Sequence, residues 1–360
     1  MSVDPSFEAP ELPYEPRDPK SYEPAVGLIG CGGITGTHLE AYSDAGYDVR
    51  ALCDIDEAAA EEKREEFYPD ADVYTDHEEL LARSDIDVVD ITTHPQHRPP
   101  LIEDAIRAGK HVLSQKPFVL DLDVGERLVE LAAENDVQLA VNQNGRWAPH
   151  FSYLRHAIAE GHVGSVLDVD FSVHFDHDWI AETPFDDVEH VILYDFAIHW
   201  FDALSCFMGD RKPQRVYASE ATSPTQQSSK PLLSQASIEY EGAQASMTFA
   251  GHTQFAQEDR TVVAGTEGTL VSTDAGGDGQ TVTLETERGT ASPDLDGEWF
   301  TDGFHGSMAA LLRAIETGEE PPHSGRNNLA SLELCFAAVA SAERGEPVVP
   351  GDVRRFPGEQ

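Results

Sequence analysis

The chain has 360 residues, of which 40% are hydrophobic, and this is enough for two domains with separate cores. Its formal net charge of −42 argues against nucleic acid and anionic membranes as partners, because no basic stripe is present to neutralise phosphates. A charge of this size opposes compaction in dilute buffer and is screened by salt, so we expect a protein from a halophilic, salt-rich cytoplasm.

The first 22 residues are acidic and rich in proline, which predicts a flexible arm. No positive region followed by an apolar core is present, so a signal peptide is not expected. No apolar run reaches the length of a membrane span. The four cysteines form no C-x-x-C pair, which suits a reducing compartment. We therefore expect a cytoplasmic protein.

An apolar run at Ala25–Ile29 leads directly into glycines, which predicts a buried strand that turns into a helix near Thr37. The candidate cofactor-binding residues of this loop are Gly30, Gly32, Gly33 and Ile34. Glycines let the backbone approach a pyrophosphate, and the helix N-terminus supplies free N–H groups. Thr35 occupies the third glycine position of a strict G-x-G-x-x-G pattern and Gly36 follows it, which predicts slightly wider packing of the helix on the strand.

The second predicted strand, residues 47–53, ends at Asp54. A carboxylate at this point accepts hydrogen bonds from the adenosine ribose and repels a 2′-phosphate, so NAD is favoured over NADP. Apolar strands then alternate with helices, which predicts a doubly wound parallel sheet in a Rossmann domain over residues 23–145. The predicted helices lie near 57–67, 98–108 and 121–135, and the later strands at 87–92, 110–114 and 137–141.

The pattern changes after residue 145, where closely spaced strands follow one another without intervening helices. Helices are predicted at 149–160, 191–208, 302–317 and 326–344, and strands at 165–179, 214–222, 233–241, 244–251, 259–265 and 268–273. This order predicts a second α+β domain, residues 146–352, with an open mixed or antiparallel sheet.

Lys116 follows the predicted strand at 110–114 and precedes Pro117. Ligands of open α/β sheets bind beyond the carboxyl ends of the strands, and an ammonium there can donate to a substrate hydroxyl and favour its alkoxide. A solvated surface lysine is the ordinary alternative. Because the chain has only six lysines, we predict a functional role for this one.

Asp195 and His199 are four residues apart in an apolar predicted helix and therefore share a face. A carboxylate beside an imidazole fixes its tautomer and stabilises the imidazolium, which suits a general base near neutral pH. The alternative is a surface ion pair, but the neighbouring Phe196, Ile198 and Trp200 predict a largely buried helix.

Together these motifs resemble the Gfo/Idh/MocA family of nicotinamide-dependent oxidoreductases, from residue 25 to about residue 349. The resemblance rests on the glycine loop with His38, on Asp54, on the segment 108–117, on Asp195 with His199, and on the closing segment 341–348. It implies a Rossmann domain joined to a C-terminal α/β domain whose open sheet forms a homo-oligomer interface.

The resemblance also implies roles for individual residues. Lys116 matches the lysine that contacts substrate and helps place the nicotinamide, His199 the proposed acid/base, and Asp195 its neighbour in the site. Thr92, at the end of the predicted strand 87–92, and His97, five residues later, are expected near the cofactor. Gln115 is a further candidate cofactor-binding residue, and it stands where the family usually has a glutamate, which removes a charge beside Lys116.

The predicted substrate residues are aromatic and polar side chains near the expected mouth of the site. They are Arg146, Trp147, Asp176 and Trp200, with His174 and Trp179 nearby. Aromatic faces with scattered polar groups suit a polyhydroxylated ring, and no arginine cluster indicates a phosphate. A neutral sugar or cyclitol is therefore expected. Strand alternation separates His177 from His174 and Asp176, so we predict no metal site.

The main prediction is an NAD(P)-dependent dehydrogenase that moves a hydride between the nicotinamide and a sugar or cyclitol hydroxyl. Two alternatives share the fold. One is an NAD-dependent glycosidase that uses transient oxidation without net redox change. The other is a non-catalytic, cofactor-sensing regulator, against which the set Lys116, Asp195 and His199 argues because a sensor needs no proton-transfer pair.

Overall fold

The structure is a computed structural model, and it describes residues 7–273 and 280–358. The chain forms two compact units. The parallel-sheet unit comprises residues 15–147 and 300–329, and the mixed-sheet unit comprises the chain up to residue 14, residues 148–299 and the chain from residue 330. The predicted division near residue 145 lies close to the boundary after residue 147, whereas residues 300–329, predicted in the second domain, lie in the parallel-sheet unit.

A six-stranded parallel sheet forms the centre of the parallel-sheet unit, in the order β3-β2-β1-β4-β5-β6. The strands are β1 (Ala25–Ile29), β2 (Asp48–Cys53), β3 (Asp72–Tyr74), β4 (Val88–Ile91), β5 (His111–Gln115) and β6 (Leu139–Asn142). Strands β1 and β4 are buried along their whole length, as expected when helices cover both faces of a sheet. The predicted doubly wound sheet is confirmed, and the strand order reverses between β1 and β4.

Five helices connect these strands: α1 (Thr35–Ala45), α2 (Glu57–Phe67), α3 (His77–Leu81), α4 (Arg98–Arg107) and α5 (Leu122–Glu134). Aspartates begin three of them, since the side chains of Asp56, Asp76 and Asp121 each accept a hydrogen bond from the backbone two residues later. The sequence patterns did not predict β3 and α3, because three and five residues are too short to show a period.

Helix α8 (Trp299–Thr317) contributes to the core of the parallel-sheet unit. Its Met308, Leu311 and Leu312 are buried in one cluster with Leu39 and Tyr42 of α1. The helix itself was predicted, but periodicity does not say which core receives its apolar face.

The mixed-sheet unit contains an eight-stranded sheet in the order β14-β13-β12-β11-β7-β10-β9-β8. Its elements are α6 (Pro149–Ala159), β7 (Val166–His174), α7 (Ile198–Met208), β8 (Pro213–Ala221), β9 (Leu233–Tyr240), β10 (Ala243–Ala250), β11 (Glu258–Gly265), β12 (Gly268–Thr273), β13 (Thr281–Thr286), β14 (Gly289–Ala291) and most of α9 (Gly325–Arg344). β7 and β10 pair in parallel and the other neighbours antiparallel, which confirms a mixed sheet. Every second residue of β9 is buried, so one face is covered.

The described part of the predicted N-terminal arm, residues 7–22, makes hydrogen bonds within each unit. In the mixed-sheet unit, Tyr153 Oη donates to the Pro10 carbonyl over 3.0 Å. In the parallel-sheet unit, the Glu316 carboxylate accepts from the backbone N–H groups of Lys20 and Ser21 over 2.9 and 2.7 Å. Across residues 7–273 and 280–358, we find no helix with the length and apolarity needed to cross a membrane.

Candidate functional site

The glycine loop has the shape that a close backbone approach requires. Gly30 has φ +102°, and a Cβ there would lie 2.9 Å from Thr93 Cγ2, so only glycine fits. A Cβ on Gly32 or Gly33 would meet nothing within 4 Å, so the space beside these two residues is open. Ile34 is 39% exposed and stands directly before α1. The loop therefore leaves room for a ligand at a helix N-terminus.

Thr35 fastens α1 to the end of β1. It is fully buried, and its hydroxyl donates to the Gly30 carbonyl over 2.8 Å. Thr92 Oγ1 donates to the same carbonyl over 2.5 Å and lies 3.0 Å from Thr35 Oγ1. At Gly36, a Cβ would lie 3.5 Å from Lys63 Nζ, so this glycine lies where α2 passes close to α1. The hydroxyl groups of Thr35 and Thr92 thus hold α1 at the end of β1, where a third glycine would allow close packing of helix and strand.

Asp54 joins the end of β2 to the loop. Its Oδ2 accepts from the Cys31 N–H over 2.6 Å, and its Oδ1 accepts from the Asp56 N–H over 2.9 Å. Burial, followed by the charge of Asp54, raises the pKa of the Cys31 thiol to about 12. The thiol is therefore neutral at physiological pH and is not a nucleophile.

A cavity of about 450 Å³ lies in the parallel-sheet unit beside Asp54. It brings together five predicted cofactor-binding residues, namely Gly30, Gly32, Asp54, Thr92 and His97. Its other lining residues are Ile29, Cys53, Ile55, Thr75, His77, Thr93, His94 and Leu101. Among these lining residues there is no lysine or arginine. The cavity therefore offers an apolar wall and one carboxylate, which are the features that a nucleoside requires.

Gln115, also predicted at the cofactor, turns its side chain into the interior. It is 5% exposed. Its Oε1 accepts from the Lys116 N–H over 2.7 Å, and its Nε2 lies 3.1 Å from Nε2 of the buried His38. Both ends of the amide are therefore engaged within the protein.

Lys116 is half-buried at the end of β5. The buried guanidinium of Arg98 holds the backbone on both sides of it, since Nη1 donates to the carbonyls of Gln115 and Pro117. Nη2 of Arg98 also donates to the Thr93 carbonyl over 2.6 Å. Arg98 thus ties the β5 end to the β4 end. Sequence reasoning missed this residue, because nothing in its surroundings showed that the guanidinium is buried.

Asp195 and His199 do not belong to one regular α-helix, so the predicted continuous helix over 191–208 is wrong. Residues Ile192–Phe196 form a π-helical turn, closed by the hydrogen bond of 2.8 Å from the Ala197 N–H to the Ile192 carbonyl. His199 lies in the first turn of α7, and both side chains are half-buried. The extra residue of the π turn changes the angle around the helix axis between Asp195 and His199. Such turns occur frequently at functional sites.

Trp299 is a neighbour of His199 that the sequence did not reveal. Its ring centroid lies 5.7 Å from the rings of both His199 and Trp200, and 5.6 Å from that of His150. Trp200 is 6% exposed, and its Nε1 is buried with no hydrogen-bond partner in the structure. An isolated tryptophan in an acidic segment gives no signal of such a cluster.

The other predicted substrate residues have varied environments. Arg146 and Trp147 are buried in a short helical turn of the parallel-sheet unit, where Arg146 Nη1 donates to the Pro322 carbonyl. Trp147 lies edge-on to His323, with centroids 4.8 Å apart. Asp176 follows β7, and its Oδ1 accepts from the Asp178 N–H over 3.1 Å. Over the described ranges, no group of three or more His, Cys, Asp or Glu side chains is placed to hold a metal ion.

Fold and site together define a dinucleotide-binding protein. Residues 25–143 match the oxidoreductase family with an NAD-binding Rossmann fold, and residues 151–271 match the GFO/IDH/MocA C-terminal domain. The chain belongs to the GFO/IDH/MocA oxidoreductase family. The family resemblance and the expectation of an oxidoreductase with an NAD-binding domain are thereby confirmed.

Two curated relatives match over nearly the whole chain. D-apiose dehydrogenase of Paraburkholderia graminis is 29% identical over 351 residues, which cover 89% of this chain and 88% of the relative. Inositol 2-dehydrogenase of Rhizobium meliloti is 29% identical over 331 residues, covering 88% and 96%. An oxidoreductase from Agrobacterium radiobacter, solved with NAD⁺, L-tartaric acid and magnesium, shares the fold with a TM-score of 0.83 and 22% identity, covering 91% of this chain and 99% of the other.

Proposed function

We propose that this oxidoreductase is an NAD-dependent dehydrogenase that oxidises a secondary hydroxyl of a neutral sugar or cyclitol to a carbonyl. The observation that carries the proposal is the position of Lys116. Lys116 follows directly after β5, at the sheet edge that also bears the glycine loop, and Arg98 fixes the backbone on both sides. Two relatives named for apiose and inositol oxidation support the substrate class.

The reaction needs a proton acceptor and a stabiliser of developing negative charge. Lys116 donates a hydrogen bond to the substrate hydroxyl oxygen and favours its alkoxide. His199 accepts the hydroxyl proton, and the Asp195 carboxylate stabilises the resulting imidazolium. NAD held by the glycine loop and Asp54 would supply the hydride acceptor for the carbinol hydrogen. The C–H and O–H bonds break and the C=O bond forms, which balances the oxidation.

We propose NAD as the cofactor in preference to NADP, and the lining of the cavity beside Asp54 supports this choice. The Asp54 carboxylate suits ribose hydroxyls and repels a 2′-phosphate. Its lining residues provide no lysine or arginine to compensate that repulsion, and Ile55 after Asp54 is 95% exposed and uncharged. We expect a lower Kd for NAD than for NADP in concentrated KCl, with the difference reduced in Asp54→Asn. Equal affinities in the native protein would overturn the preference.

We also propose that the chain is a homo-oligomer that associates through the open face of its eight-stranded sheet. The face opposite the buried positions carries partly exposed side chains, with Tyr217 on β8 48% exposed and Leu167 on β7 43% exposed. Light scattering after gel filtration in KCl should give the mass of a dimer or tetramer. A monomeric mass would exclude this arrangement.

The catalytic proposal is tested by following NADH absorbance with the protein in multimolar KCl, NAD or NADP, and a panel of aldoses, sugar acids and inositols. We expect NAD reduction with one group of substrates. Lys116→Ala and His199→Ala should each lower kcat by at least about a hundredfold while NAD still binds, since positioned acid–base groups contribute factors of this size. Wild-type rates in both variants would defeat the assigned roles.

The same assay separates the two alternatives of this fold. An NAD-dependent glycosidase would hydrolyse a glycoside with tightly retained NAD and no accumulation of NADH. A regulator would bind the cofactor, seen as a thermal shift, and turn over nothing. Either result would replace the dehydrogenase proposal.

A further inference from the structure

A buried polar cluster lies directly beneath Gln115. His38 and Asp90 are both fully buried, and His38 Nδ1 lies 2.7 Å from Asp90 Oδ2. Tyr42 Oη donates to the same carboxylate oxygen over 2.7 Å. An unpaired charge is unfavourable in the protein interior. The buried histidine–carboxylate pair should therefore occupy one protonation state. The proposed function gives this pair no role.

The orientation of the Gln115 amide is fixed by the backbone. Its Oε1 accepts from the Lys116 N–H over 2.7 Å, so its other end must be the NH₂ group. That Nε2 lies 3.1 Å from His38 Nε2. The imidazole nitrogen therefore accepts this hydrogen bond and carries no hydrogen. The single proton of His38 is on Nδ1 and is donated to Asp90.

The other groups that surround His38 are compatible with a neutral ring. Asn142 Nδ2 lies 3.3 Å from His38 Nε2, and the Phe304 ring centroid is 4.5 Å from the imidazole. Among the residues that the structure describes, the titratable side chains within hydrogen-bond distance of His38 are Asp90 from β4 and Tyr42 from α1. Burial, followed by the charge of Asp90, raises the pKa of Tyr42 well above its usual value, so Tyr42 stays a hydroxyl donor.

We infer that Gln115 is a positioning residue that holds His38 as the neutral Nδ1–H tautomer and anchors the Lys116 backbone to that tautomer. Protonation of His38 would direct an Nε2–H at the Gln115 NH₂ group, which is a donor facing a donor. The kinetic part of this inference rests on the proposed role of Lys116.

A carboxylate in place of Gln115 should reverse the protonation state of His38. In Q115E, the new carboxylate accepts from Nε2–H, and His38 becomes an imidazolium between two carboxylates. The ion pairs of this imidazolium stabilise folded Q115E fully below the pKa of an unfolded histidine, about 6.5. This stabilisation is lost as the pH rises through the pKa of the imidazolium in the folded variant. Relative to the native protein, the Tm of Q115E should fall by at least about 3 °C between neutral and alkaline pH.

The test compares Tm against pH for the native protein, Q115E, the double variant H38Q/Q115E and Q214E, all at one KCl concentration. Gln214 is exposed on β8, so Q214E adds the same charge without a partner histidine. The Tm of Q115E should fall between neutral and alkaline pH relative to the native protein, and the Tm of H38Q/Q115E should not show this fall. Parallel curves for Q115E and Q214E would overturn the inference.

Two further readouts keep the inference testable if Q115E folds poorly or the activity proposal fails. In the native protein, histidine ¹⁵N resonances assigned with H38Q should show an Nδ1–H, Nε2-unprotonated ring over the whole range of pH in which the protein is folded. An Nε2–H or an imidazolium would contradict the inference, whatever the enzyme turns over. With substrate, Q115E should show an additional alkaline loss of kcat/KM that the native protein and H38Q/Q115E do not share, and a profile unchanged from the native one would exclude coupling to Lys116.

Discussion

At the scale of single residues, Trp299 is the side chain best placed to present a flat surface beside the proposed base. It contacts the rings of His199 and Trp200 at centroid distances of 5.7 Å. Sugars and cyclitols have apolar C–H faces, which bind aromatic rings while their hydroxyls meet polar groups. For the proposed sugar or cyclitol substrate, we therefore predict that Trp299 forms one wall of the site and orients the substrate ring toward His199.

Replacing this tryptophan should affect the substrate more than the cofactor. We expect Trp299→Ala to lower kcat/KM for the sugar or cyclitol by about tenfold or more, which corresponds to about 1.4 kcal/mol, and to leave the Kd for NAD unchanged. Trp299→Phe should recover most of the loss, because a flat apolar ring is retained. Phe255→Ala is the control, since Phe255 is 85% exposed in the same unit. Native kcat/KM in Trp299→Ala would remove it from the site.

The location of a candidate site residue was predictable only where the residue directly follows a predicted strand. Asp54 and Lys116 follow directly after strands of the parallel sheet, and strand ends of such sheets meet at one edge, so the pattern predicted where both residues lie. Arg98 and Trp299 act through contacts with residues distant in sequence, to which no local pattern refers. Gln115 was identified as a departure from the family, but its partner His38 lies 77 residues away.

At the scale of elements, the segment that carries Asp195 and His199 is anchored where it begins. His190 has φ +52°, and its two ring nitrogens lie 2.5 Å from Glu220 Oε2 and 3.3 Å from Glu343 Oε1. Burial lowers the pKa of His190, but the hydrogen bonds and charges of Glu220 and Glu343 outweigh burial, so the pKa is raised overall. The protonated ring therefore holds the start of this segment to β8 and α9.

His190→Asn should remove a pH-dependent part of the stability, and asparagine tolerates the positive φ. Because the folded pKa is raised, the contribution of His190 is fully present below about pH 6.5 and is lost as the pH rises through the folded value. The Tm deficit of the variant should thus be largest in mildly acidic buffer and shrink in alkaline buffer. Calorimetry at constant KCl measures it, with His94→Asn at an exposed position as control. A deficit independent of pH would show that the anchor does not depend on charge.

Local periodicity predicted most elements but not their irregularities. Helix α2 was predicted at 57–67 and observed at Glu57–Phe67, because its pattern is regular and bounded. The π turn at Ile192–Phe196 lies within a continuous apolar stretch, so the extra residue leaves the composition unchanged. Helix α8 packs in the core of the parallel-sheet unit, against residues distant in sequence. Amphipathic spacing predicts a helix with an apolar face but does not say which core that face joins.

At the scale of the whole molecule, the net charge of −42 is the property with the greatest expected effect on stability. Acidic residues lie on most elements, and some repeat on one helix face. Glu40 and Asp44, for example, are four apart and both exposed on α1. Like charges at this spacing destabilise a helix by a few tenths of a kcal/mol, and the repulsion adds across the surface.

We therefore expect the Tm to rise substantially from dilute buffer to multimolar KCl, because the Debye length falls from about 30 Å at 0.01 M to about 3 Å at 1 M. Salt also strengthens apolar burial, so a charge variant is needed to separate the two effects. Glu40→Gln with Asp44→Asn should raise the Tm by about 1 °C in dilute buffer and leave it unchanged in multimolar KCl. A Tm that does not rise with KCl would contradict adaptation to a salt-rich compartment. A rise accompanied by the same variant effect at both salt concentrations would attribute the stabilisation to apolar burial and not to screening.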